Sequence, residues 1–276
     1  MASWRILPIV ITAFALSLSL RAQTHLSWKP LCTGVNRTVP DSNLGHDVFC
    51  GFGGWTIRQE WANIWVGSLY SARLRTLGVR YLFSVMGPKQ DDYSGRELDT
   101  RALARSLVAI MKSDTLCRRI IVAAHSSGSF VAHALFHDLY GSTGIDSLHV
   151  TDGTIIYFNL DGGIGNGGTA VPITPGIAER LAHLYAVYAF APENRLYSPN
   201  RADMVELAGM FAPRSRVLQI DVTGCGCSAA WCVHETLIVQ RPHNPTTFDL
   251  EHDYDGIDAE HPVTTSYLDV LNNTAR

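Results

Sequence analysis

Charge is scarce in this sequence. Only 17% of its 276 residues are Asp, Glu, Lys or Arg, and 22 basic against 25 acidic side chains leave a formal net charge of -3. Phosphate backbones are bound by a basic field, so nucleic acid is not an expected partner. Internal repeats and low-complexity blocks are missing too, which argues against a solenoid. Metal-binding patterns are incomplete. His234-Glu235-Thr236-Leu237-Ile238 opens like H-E-x-x-H but ends on Ile, and the acidic loop Asp249 to Asp258 is out of register for an EF-hand. No metal site is expected.

Long apolar runs are confined to the N-terminus, where Arg5 precedes the stretch Ile6 to Leu20 and small or polar residues surround Ala22. That run, about 15 residues, is short of the roughly 20 that span a bilayer, so a cleaved signal over 1–22 is predicted. A single domain over 23–276 follows, secreted and without a stable membrane anchor. Six cysteines suit an oxidising compartment, and the close group Cys225, Cys227 and Cys232 predicts a disulfide-pinned loop. Asn36-Arg37-Thr38 and Asn272-Asn273-Thr274 are glycosylation sequons, effective in a eukaryotic secretory route.

What the sequence does contain is alternation. Apolar strand-like runs (47–50, 80–85, 119–124, 154–160, 186–190, 216–222) are interleaved with helix-like stretches (56–77, 101–113, 127–140, 175–184, 201–210), and a last helix is expected at 263–271. Short, wholly apolar strands are buried on both faces, so the predicted fold class is α/β, a mainly parallel sheet flanked by helices.

Two motifs sit in that frame. Ala124-His125-Ser126-Ser127-Gly128 is a small-x-Ser-x-small pattern between a strand-like run and a helical apolar spacing (Val131, Leu135, Leu139). Small neighbours are what a sharp strand-to-helix reversal through Ser126 demands; a serine that merely caps a helix is the competing explanation. Upstream, Val48-Phe49-Cys50 runs into Gly51-Phe52-Gly53-Gly54, glycines that let main chain approach a substrate closely. Gly163 to Gly168 also matches G-x-G-x-x-G, but Pro172 and Pro175 follow in place of a helix that would receive a pyrophosphate, so no dinucleotide is expected.

In the order and spacing of these motifs, from Asp47 to Leu271, the chain resembles the α/β-hydrolase superfamily of lipases and esterases. It departs at Cys50, where many lipases carry His, and at Ala124, the first small residue. The resemblance implies an α/β-hydrolase-like fold, no cofactor, and a small-molecule or lipid ester as substrate. Ser126 would be the nucleophile, and the amides of Ser127 and Phe52, or Gly53 if the loop is shifted, would hold the oxyanion. The superfamily order Ser, acid, His leaves choices open. For the acid, Asp161 after the fourth strand run competes with Glu193 after the next and, more weakly, Asp221. For the base, His234 beside the cysteine loop competes with His261 near the C-terminus, and His243 and His252 rank below both. A hydrolase-like protein that binds a ligand without catalysis is the alternative function.

Overall fold

The computed structural model describes residues 26–38, 45–55, 57–88, 98–141, 148–165, 170–239 and 260–273. The signal-like segment, His243, His252 and the acidic loop lie outside them.

A nine-stranded sheet organises the chain. Its strands are β1 (Lys29–Cys32), β2 (Val35–Thr38), β3 (Asp47–Phe52), β4 (Val79–Val85), β5 (Ile120–His125), β6 (Ile155–Leu160), β7 (His183–Ala191), β8 (Leu196–Tyr197) and β9 (Ser215–Asp221). The spatial order is β1-β2-β4-β3-β5-β6-β7, with β9 parallel and the short β8 antiparallel on β7. From β4 through β3, β5, β6 and β7 every pairing is parallel; β1 and β2 add an antiparallel hairpin at one edge.

The central strands β3, β5 and β6 are buried at every position. Their period-two alternation splits the core in two. Val48, Cys50, Ile120, Val122, Ala124, Ile155 and Tyr157 face a cluster shared with helices α2 (Thr100–Ser113) and α3 (Gly128–Tyr140), while Phe49, Ile121, Ala123, Ile156 and Phe158 face α1 (Gln59–Leu69) and the C-terminal elements. The smaller helices are α4 (Pro175–Ala178), α5 (Arg201–Met210), α6 (Ala230–Glu235) and α7 (Pro262–Thr265). The sheet is thus α/β and mainly parallel, as its apolar runs predict.

Some elements differ from expectation. The helix anticipated over 175–184 stops at Ala178, and β7 starts at His183, because Leu184 to Leu160's neighbour Val187 are drawn into ladders with β6 and β9 at once. The long helix expected from 56 to 77 begins at Gln59 and loosens at its end into a π-helical stretch, Tyr70–Leu74. The final helix is one α turn followed by a 3-10 stretch, Ser266–Asn272. The β1–β2 hairpin was not expected: each strand is only four residues long, too short to show a period.

Candidate active site

β5 ends at His125, and the chain turns through Ser126 at φ +53° before α3 begins at Gly128. A non-glycine residue in this left-handed region carries local strain of about 1–3 kcal/mol. Two main-chain bonds hold it: the Ser126 amide donates to Leu160 O (3.0 Å) and its carbonyl accepts from Ser129 N (3.0 Å). The capping position belongs to Ser127, whose side chain makes no cap bond. Ser126 is half-buried while His125, Ser127 and Gly128 are buried, so the serine alone of this turn reaches outward. Gly128 explains the motif's last small residue, since a Cβ there would lie 2.3 Å from the Gly53 carbonyl oxygen.

The β5–β6 register pairs His125 with Leu160, so the next residues, Ser126 and Asp161, leave adjacent strands side by side. Asp161 is also left-handed, at φ +51°. Its amide donates to Val187 O (2.7 Å), and Asn200 clamps it through Nδ2 on the Asp161 carbonyl (2.7 Å) and a long amide contact to Oδ2 (3.4 Å). The turn beyond it is fastened by Asn159, which accepts from Gly162 N and donates to Gly163 O, and by the Ser129 hydroxyl on Gly162 O.

His234 lies on α6, two residues after Cys232, whose disulfide to Cys227 closes the preceding loop. Its Nδ1 donates to Asp161 Oδ2 at 2.6 Å, both side chains being fully buried. Burial alone would disfavour the imidazolium, but the hydrogen bond and charge of Asp161, joined by Glu235, outweigh it and raise the His234 pKa above the ordinary value. With Nδ1–H committed to the carboxylate, Nε2 is the nitrogen left to accept a proton.

The rival residues are elsewhere engaged. Glu193 accepts from Gly224 N (3.0 Å), Asp221 is an exposed residue bonded to Thr223, and His261 Nδ1 accepts from Val263 N at the start of α7. None of these is brought to Asp161 or His234 by a bond among the described residues.

The glycine loop meets the serine turn two residues after Phe52, one beyond even the shifted alternative Gly53. Val48 N bonds to Arg119 O and Gly53 N to Val85 O (2.9 Å), so even positions of β3 point their amides at β5 and odd ones at β4. Phe52, expected to present its amide to the oxyanion, lies inside β3 paired with Ala124, and Gly53 is spent on β4. Carrying the register on from Phe52 and Ala124 sets Gly54 opposite Ser126, and a Cβ on Gly54 would come 2.9 Å from Ser126 Cβ. The Gly54 and Ser127 amides have no acceptor among the described residues.

Sequence reasoning missed Gly54, Asn200, Asn159 and Ser129. Asn159 had a signal, a lone amide in the apolar run Ile155–Leu160. Asn200, 39 residues from its partner, had none. No helix among the described residues is long and apolar enough to cross a membrane, and no cluster of metal-ligating side chains occurs among them.

A mainly parallel sheet in this order, with a strained serine between β5 and α3 and a buried Asp–His pair at the same edge, has the α/β-hydrolase fold. No family model and no curated protein matches the sequence. Among solved structures the chain is similar to a phosphonate-inhibited esterase B from Lactobacillus rhamnosis (8% identity, 90% of this chain and 85% of that one, TM-score 0.48). It is also similar to carboxyl esterase 2 from the fungus Tuber melanosporum (12%, 77% and 84%, 0.46) and a dienelactone hydrolase from Anabaena variabilis (10%, 72% and 87%, 0.44). Such distant likenesses say nothing of this chain's substrate.

Proposed function

We propose that the protein is a secreted serine hydrolase that cleaves a carboxylic ester of a small molecule or lipid through an acyl-enzyme. The observation that carries this reading is the buried Asp161–His234 pair at the sheet edge where Ser126 stands in strained backbone. His234 Nε2 takes the proton of the Ser126 hydroxyl as Oγ attacks the ester carbonyl carbon, and Asp161 stabilises the imidazolium. The amides of Gly54 and Ser127 receive the carbonyl oxygen as it becomes an oxyanion. Collapse breaks the bond to the alcohol, which leaves with the proton from His234. Water, deprotonated by His234, then attacks the acyl-serine; the bond to Ser126 Oγ breaks, His234 returns the proton to that oxygen, and the acid is released. Secretion is supported by the apolar N-terminal run and by the Cys227–Cys232 disulfide, which persists in an oxidising compartment. A ligand-binding protein without catalysis has no use for strain at a serine beside a buried acid–base pair.

Nitrophenyl esters of increasing acyl length, turned over by wild type and Ser126→Ala, test the reading. Turnover that depends on Ser126 and peaks at some length supports it. A panel untouched by the wild type, or cleaved equally by both proteins, overturns it.

A further inference from the structure

His125, the last residue of β5, is used by no step of this reaction, yet it adjoins the serine, the base and the glycine loop. It is covalently joined to Ser126. Its ring is fully buried, and Nε2 lies 3.2 Å from the carbonyl oxygen of His234, so Nε2 carries the proton and donates. That carbonyl also receives the Thr236 amide at the end of α6 and, at 3.4 Å, Leu237 N. The His125 and His234 rings stand 4.3 Å apart, tilted by 39°. Nδ1 of His125, left with a bare lone pair, is buried with no partner among the described residues and faces Gly54, where a Cβ would come 3.0 Å from it.

A side chain that only filled this space would be apolar, because an unpaired buried nitrogen costs about 1–3 kcal/mol. What a histidine adds is a donor at one point: N–H toward the main chain of the base. It adds no charge. Burial, and then the neighbouring His234, keep the ring neutral, so it does not oppose the imidazolium that forms 4.3 Å away. Among the described residues, the groups facing His234 are Asp161 at the end of β6, His125 at the end of β5, and Glu235 and Trp231 on its own helix.

We infer that His125 is a positioning residue for the base: its Nε2–H pins the His234 main chain and its ring backs the His234 imidazole, tying the serine turn and α6 into one unit. The inference rests on the serine-hydrolase reading. It also explains why position 125 carries a ring where the turn's sterics ask only for small residues at 124 and 128.

Three substitutions separate donor from filler. In His125→Gln the amide nitrogen reaches about as far as Nε2; in His125→Asn it stops short near Nδ1; His125→Leu keeps bulk and loses the donor. For Leu and Asn, kcat should fall about 10- to 100-fold with KM within about threefold, the loss expected when a reacting group is misplaced by about 1 Å. Their acid limb of kcat/KM should move to lower pH, because a loosened His234 is stabilised less by Asp161 as the imidazolium. Gln should recover most of the rate and the wild-type limb. Equal rates in Gln and Asn, a loss carried by KM, or unchanged rate and pH limb in Leu and Asn would each overturn the inference. If His125→Leu does not fold, Gln against Asn decides alone. A wild type that cleaves no ester instead refutes the proposed function, a distinguishable failure.

Discussion

At the N-terminal end of the central strands, buried charge is paired off. Arg119 donates to Asp47 (2.7 Å) and to Leu77 O (3.1 Å), and Asp114 takes bonds from His46 and Tyr81. At the C-terminal end of the same strands, Ser126 and Asp161 are both left-handed, and His125 Nδ1, Ser127 Oγ and Asp161 Oδ1 are buried with no hydrogen-bond partner among the described residues. One end spends its polar groups on holding the sheet together. The other tolerates strain and unmet valence, which a fold keeps where chemistry is done.

This contrast can be broken one substitution at a time. Asp161→Asn should cost about 10,000-fold in kcat, since the amide no longer fixes the His234 tautomer, while Glu193→Gln stays within about twofold; steady-state kinetics on a nitrophenyl ester reads both. At the opposite end, Arg119→Met strands the Asp47 carboxylate and should lower stability by about 3 kcal/mol, with kcat per folded molecule unchanged; urea denaturation checks the first and active-site titration the second.

The pH dependence sharpens the comparison further. His234 must be neutral to act as a base, and Asp161 and Glu235 hold its pKa above 6.5 against burial, so the acid limb of kcat/KM should fall above pH 6.5. The same raised pKa makes protonated His234 favour the fold. That contribution is complete below the unfolded value and is lost as pH rises through the folded one. Activity therefore appears as this stabilisation disappears.

Relieving the strain has a smaller effect on stability. Ser126→Gly should abolish turnover yet raise stability by about 1 kcal/mol, visible as a higher melting temperature. Smallest is Trp231, exposed and edge-on to the His234 ring at 5.3 Å between centroids. Trp231→Ala should raise KM about threefold and leave kcat nearly unchanged, as loss of uniform binding does.

How much of this was legible beforehand follows from how local each constraint is. Ser126 was legible because its turn dictates its neighbours: Gly128 has no room for a side chain against Gly53 O. The central strands were legible because burial on both faces leaves an unbroken apolar run. Asp161 and His234 could be named only among rivals, since their meeting depends on how the β6 edge and the cysteine loop converge across 73 residues. Gly54 needed the register of β3 on β5, which no composition reveals, and Asn200 needed the third dimension outright.

The most direct measurement is active-site labelling. With a fluorophosphonate, the account predicts one adduct per wild-type molecule, mapped by peptide mass to Ser126, absent from Ser126→Ala and strongly slowed in His234→Ala but not in His261→Ala. An unlabelled wild type, or an adduct that survives Ser126→Ala, would contradict it.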